Sequence, residues 1–147
     1  EPILQACKVC RVAMTGTDGW PYVIPMNFGY TWDEDGLTLY FHGGVKGKKI
    51  DSLKVAPRIC FEMDCEEGLP GEGDLACRYS YAFSSIVGYG KVEFAKDNEE
   101  KRQGFDVIMQ HQTGRTGWTY TDAALSVTEV MRVRAESFEA SRKAPKG

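Results

Sequence analysis

Apolar side chains recur at every second position in four stretches of this chain, a spacing that buries one face only if the backbone is extended. Cys10, Val12 and Met14 share one face of the first stretch, with Arg11 opposite. Tyr22, Ile24, Met26 and Phe28 share a face of the second, alternating with Val23, Pro25 and Asn27. Leu37, Leu39 and Phe41 repeat the pattern, as do Ile59, Phe61 and Met63. Turn signals separate these runs, at Asp18-Gly19 and at Asp33–Gly36. Pro25 cannot donate a ladder hydrogen bond, so the second strand is expected to have a free or irregular edge, a natural place for a ligand.

Beyond Met63 the pattern loosens. Asp64–Asp74 is acidic and rich in Gly and Pro, which predicts an exposed loop. A long strand is expected from about Leu75 or Tyr79 to Phe94, and a final one over Val127–Phe138. Two helices break the series. One is expected over Lys48–Lys54, burying Ile50 and Leu53 and stopped by Pro57. The other starts at a capping box of Asp97 and Glu100 and runs through Phe105, Ile108 and Met109 as one apolar stripe. Gly104 weakens that helix by ~1 kcal/mol relative to Ala. His111–Asp122 reads as a polar loop carrying Trp118 and Tyr120. The fold class is mainly β with short helices, about six strands in a closed or nearly closed antiparallel barrel. The whole of 1–147 is expected to form one domain, with 1–6 the remnant of an N-terminal helix and 140–147 a frayed basic tail.

The chain of 147 residues carries 18 basic and 21 acidic side chains, a formal charge of −3, which argues against a general nucleic-acid surface. No apolar run reaches the ~20 residues of a membrane-spanning helix, and no secretory signal is visible. Five cysteines do not make a disulfide framework, so a reducing, cytoplasmic setting is the simpler reading. Cys7 and Cys10 form a CxxC without a second ligand pair, so no metal is expected; free thiols serving as small apolar side chains are preferred.

The stretch with chemical content is Tyr40-Phe41-His42-Gly43-Gly44-Val45-Lys46-Gly47-Lys48-Lys49. A strand ends, three glycines permit close backbone approach, three lysines crowd together, and a helix begins. Phosphate binding needs backbone N–H groups, a positive helix end and nearby cations, all of which this segment offers. A solvated basic loop with a surface histidine accounts for the same spacing equally well. Neither GxxxxGK[ST] nor GxGxxG is present, so nucleoside triphosphates and a dinucleotide fold have no support.

Cys10–Met14, Pro21–Tyr30 and Leu39–Gly43 together resemble the pyridoxamine-phosphate-oxidase-like flavin-binding family, most of all its nitroimidazole-resistance reductases. Gly47-Lys48-Lys49, Pro57–Glu62 and Tyr81–Gly90 extend the likeness, in the same order, from about Cys7 to Arg142. The resemblance implies a six-stranded Greek-key split barrel that forms a homodimer, with FMN (or FAD) in each of two clefts between subunits. It implies phosphate contacts from His42, Lys46, Lys48 and Lys49, and a flavin ring along Pro25, Met26 and Asn27 near Arg11 and Ala13. The second subunit would add Ser84, Ser85 and Ile86, with Trp118 or Tyr120 from the late loop. For Trp118 and Tyr120 ordinary interface packing is an equal alternative, and Ser84 and Ser85 read equally well as solvent-facing.

The activity implied is an FMN-dependent reductase of small aromatic nitro compounds of the 5-nitroimidazole type, with His42 as the one catalytic candidate. A flavin-binding module without turnover, for storage or sensing, is the alternative. The arginine-rich substrate motif of true pyridoxine-phosphate oxidases is absent from the C-terminal region, so that activity is not expected. Gly43-Gly44 stands where relatives often have a small residue and alanine, which affects local loop geometry.

Overall fold

The structure is a computed structural model that describes residues 1–144. A short helix α1 (Pro2–Ala6) leads into strands β1 (Val9–Thr15), β2 (Pro21–Asn27), β3 (Gly29–Asp33) and β4 (Gly36–Gly44). Helix α2 (Lys48–Val55) crosses to β5 (Arg58–Gly68), and β6 (Ala82–Phe94) follows a loop with one 3₁₀ turn at Ala76–Arg78. Helices α3 (Asn98–Thr113) and α4 (Asp122–Ser126) precede the last strand, β7 (Thr128–Lys143). The seven strands form one sheet in the order β2-β1-β5-β6-β7-β4-β3. Every pairing is antiparallel. The outer strands β2 and β3 are not joined by a ladder, so the sheet curls without closing.

The alternating registers face inward as expected. Cys10, Val12, Phe28, Leu37, Leu39, Phe41, Phe61 and Met63 are all at most 1% exposed and share one cluster with Ile50 and Leu53 from α2. Each such side chain contributes roughly 1.5–3 kcal/mol by leaving water. Pro25 lies in β2, whose outer edge has no neighbouring strand, as its missing N–H requires.

Four expectations need correction. There are seven strands, because Gly29–Asp33 forms a strand of its own, with β4 as its only strand partner. β5 continues through Asp64 to Gly68, taking residues assigned to the loop, because they pair with Ala82–Ser85 of β6. α3 extends to Thr113, so His111 belongs to the helix, which ends on a left-handed Gly114. Residues 140–143 are not frayed: Ala140–Lys143 pair with Phe83–Ile86. The rest of the expected tail, 145–147, lies outside the described residues.

Helix α3 covers the β3-β4-β7 end of the sheet. Asp97 caps it by accepting from the Glu100 N–H at 2.9 Å, while the Glu100 carboxylate accepts from the Lys96 N–H at 2.8 Å. The helix lies so close to the sheet that a Cβ on Gly29 would stand 2.5 Å from the Val107 carbonyl oxygen. A Cβ on Gly104 would meet Val130 at a similar distance, which explains why a poor helix former sits inside α3.

Candidate functional site

β4 delivers His42 and Gly43 to the end of the barrel, and Gly47, at φ 124°, turns the chain into α2. That backbone angle suits glycine alone, so the entry angle of α2 is set there. Among the described residues no side chain caps the start of α2, leaving the first-turn N–H groups, including those of Lys48 and Lys49, without a capping acceptor and with a partial positive charge. Lys49 folds back so that its Nζ would stand 2.8 Å from a Cβ on Gly43. Burial lowers the pKa of its ammonium below the usual lysine value. No ion pair engages Lys49 among the described residues.

His42 lies on the outer side of β4 opposite Val130 of β7. Its rim is open to solvent, but Phe105 of α3 covers part of the ring at a centroid distance of 5.3 Å. Desolvation first, and the Lys49 ammonium second, lower its pKa below the ordinary 6.5. The imidazole is therefore neutral at pH 7, with one N–H donor and one acceptor nitrogen. Tyr120 extends the aromatic group, stacked on Phe105 at 5.5 Å. The Tyr120 hydroxyl donates to the Asp106 carboxylate at 2.9 Å. Burial and that carboxylate raise the phenol's pKa.

Such a donor set suits a terminal phosphate. An ammonium without an anionic partner, uncapped helix N–H groups and a backbone bare of Cβ at Gly43 converge on one corner. Lys46 is exposed on the connecting turn. Lys48 diverges from this corner: its ammonium pairs with Asp18 at 3.0 Å and lies 4.6 Å from the centroid of the Tyr22 ring. Two adjacent lysines therefore have different neighbours, Lys48 at Asp18 and Tyr22, Lys49 at Gly43.

The other expected residues fall in four places. On the free-edged β2, Pro25 and Asn27 are exposed while the Met26 side chain is buried. The Asn27 amide donates to the Lys8 carbonyl at 3.2 Å. On the outer face of the sheet, Arg11 is tied to Glu62 at 3.0 Å and Asp64 at 2.6 Å, which raises its pKa further. Ala13 stands in a cross-strand row with Cys60, Tyr89 and Ser137, lining an open groove of about 510 Å³.

Ser84, Ser85 and Ile86 pair with Arg142, Ser141 and Ala140 of β7, whereas His42 pairs with Val130. At roughly 3.3 Å per residue the two groups lie up to roughly 30–40 Å apart along that strand. One chain does not bring them together. Ser84 and Ile86 are also buried, with only Ser85 partly exposed. Trp118 folds onto its own loop, its indole N–H donating to the Arg115 carbonyl at 3.1 Å beneath the Arg115 guanidinium.

Sequence reasoning missed Phe105, which it placed in the core stripe of α3. Only Ile108 of that stripe is fully buried, and Phe105 turns toward His42. Its apolar spacing carries no signal that separates the two roles.

No helix among the described residues is long and apolar enough to cross a membrane. No group of three or more metal-ligating side chains is found among them. The family model described as pyridoxamine 5'-phosphate oxidase matches residues 1–142. No curated protein sequence matches the chain. A solved structure described as a candidate 5-nitroimidazole antibiotic resistance protein, from Bacteroides thetaiotaomicron, is 36% identical. The match covers 95% of this chain and 79% of that one, with a TM-score of 0.82. An FAD and heme binding protein from Mycobacterium smegmatis shares the fold at 18% identity, covering 99% and 71%, with a TM-score of 0.78. An FAD-binding protein from Mesorhizobium loti does so at 24% identity, covering 97% and 91%, with a TM-score of 0.64. The family match spans nearly the whole chain and agrees with its open antiparallel barrel: the protein belongs to the pyridoxamine 5'-phosphate oxidase family.

Proposed function

We propose that the chain is an FMN-dependent reductase of small nitroaromatic compounds of the 5-nitroimidazole type, working as a homodimer in the cytoplasm. The observation that carries this reading is the corner of Lys49, Gly43 and the uncapped start of α2 beside a neutral His42. The 36% identity to a candidate 5-nitroimidazole resistance protein supports the substrate class. One compact anion site favours FMN, with its single phosphate, over FAD.

Bound flavin would supply the hydride and electron chemistry. Lys49, the first N–H groups of α2 and Lys46 would hold the phosphate. The free edge of β2 at Pro25–Asn27 would take the ring. His42, kept neutral and covered by Phe105, would present one N–H to the substrate and could hand over that proton. Phe105 and Tyr120 form an apolar wall that excludes water from that side of the imidazole.

Two features support the homodimer. Val23, Val87 and Tyr89 are exposed on the outer face of the sheet, an apolar area of the kind that subunits cover. The partly exposed Ser85 is also out of reach of its own His42, so it would meet the cofactor only in a second subunit. Five free thiols support a reducing compartment.

The test is the visible spectrum of the purified chain after FMN or FAD is added and excess removed, followed by anaerobic reduction. Retained flavin bands and faster reoxidation by a 5-nitroimidazole than by buffer are expected. Retained flavin without faster reoxidation would leave a binding protein without turnover. Failure to retain either flavin would overturn the cofactor assignment.

A further inference from the structure

The N-terminal CxxC holds one cysteine whose near neighbour is not its sequence partner. Cys7, at the junction of α1 and β1, places its Sγ 3.1 Å from the Sγ of Cys65 on β5. The same sulfur donates to the Asp64 carbonyl at 3.4 Å. Cys7 is 5% exposed, whereas Cys65 is only partly covered. Cys10 points into the core, and the exposed Cys77 lies on the loop before β6.

From this geometry we infer that Cys7 and Cys65 form a reversible dithiol–disulfide site, oxidised by low-molecular-weight disulfides of the glutathione class. Closure requires the sulfurs to approach by about 1 Å, to the ~2.05 Å of a disulfide. The segment that must move is short: α1 has five residues, and Cys7 itself has the extended backbone of a helix exit. The Cys7 carbonyl is held by a ring nitrogen of His111 at 2.8 Å, so the residue turns about a fixed point.

The step balances as two exchanges. The partly open Cys65 thiolate attacks the small disulfide, forming a mixed disulfide and releasing one thiol. The Cys7 sulfur then attacks the Cys65 sulfur, forming the Cys7–Cys65 bond and releasing the second thiol. The protein loses two electrons and two protons, and one small disulfide becomes two thiols.

The surroundings set the character of the site. Burial first, then the Cys65 hydrogen bond and the Asp64 and Glu62 carboxylates, push the Cys7 thiol up to about 12. Thiolate is scarce there, so closure is slow and selective for the paired sulfur. A poor thiolate is also a poor leaving group, so the closed bond reopens slowly. The bond would link α1 to β5 across residues far apart in sequence and so stabilise the oxidised chain.

The test uses the full chain, reduced, desalted and incubated with oxidised glutathione, then alkylated in denaturant and digested with trypsin. The expected product has lost two hydrogens and joins peptide 1–8 to peptide 59–78 through Cys65. Dithiothreitol reverses it, and C65S and C7S each abolish the link. Fragmentation of the linked wild-type peptide, with the alkyl label on Cys60 and Cys77, assigns the bond to Cys65, so the result does not depend on either variant folding. A Cys7 that remains alkylatable while Cys65 carries glutathione would overturn the inference. So would a link that persists in C65S through Cys60 or Cys77.

Discussion

Replacing Lys49 by Met separates what this residue does for an anion from what it does for the fold. Methionine keeps an apolar stem of similar length over Gly43 and removes the charge. The wild-type ammonium is half-buried, its pKa is lowered by desolvation alone, and no carboxylate pairs with it among the described residues. The lowered pKa means that the unfolded chain binds the proton more tightly than the folded one. Stability therefore rises with pH as the group titrates, and K49M removes that rise. At pH 7.5 the variant is expected to be as stable as wild type or more so. A charge-assisted hydrogen bond to phosphate contributes roughly 1.5–3 kcal/mol. At about 1.4 kcal/mol per factor of ten, FMN affinity falls about 12- to 140-fold. Quenching of FMN fluorescence in a titration gives the affinity, and a thermal melt of the flavin-free protein gives the stability. Affinity within about threefold of wild type would refute the anion corner. A melting temperature lower by several degrees would show that Lys49 is part of the scaffold instead.

Lys48→Ala provides the contrast. Its ammonium is held by Asp18 away from the Lys49 corner, so the same titration should show less than about a threefold change in FMN affinity. Gly29→Ala must push back the α3 backbone rather than a side chain, at a cost of roughly 1–3 kcal/mol, read as a lower urea midpoint. His42 and His111 both have pKa values lowered by burial, so acid protonates the unfolded chain first. Stability is expected to fall as pH drops below about 6.5, and H42Q with H111Q should flatten a urea series between pH 7.5 and 5. Phe105→Ala, by baring the ring, should raise the His42 titration midpoint in an NMR series.

What could be read without coordinates follows from how local each signal is. β1, β2 and β4 are written as alternation because one face of each is more deeply buried than the other. Gly29–Asp33 escaped notice because Tyr30 and Thr31 are both half-buried, so the strand has no dry face. Ala140–Lys143 is exposed on both faces, and only its ladder with β6 keeps it extended. α4 is five residues long, and its sole local mark is the Thr121 cap. His42, Gly43 and Lys49 were legible as a group because one turn of chain holds them. The turning away of Lys48 and the arrival of Phe105 depend on Asp18 and α3, which no nearby spacing encodes.

The position of β7 has a consequence for how the molecule is made. It lies between β6 and β4, and among the described residues no other strand joins the β2-β1-β5-β6 half of the sheet to the β4-β3 half. Yet it follows every other strand in the chain. During synthesis the strand bearing His42 waits with one side unpaired until residues 128–134 have emerged. The sheet is then completed by a keystone laid last, through contacts distant in sequence that make folding slow. Until that moment, edges are open to other nascent chains, and the newborn protein is at its most vulnerable.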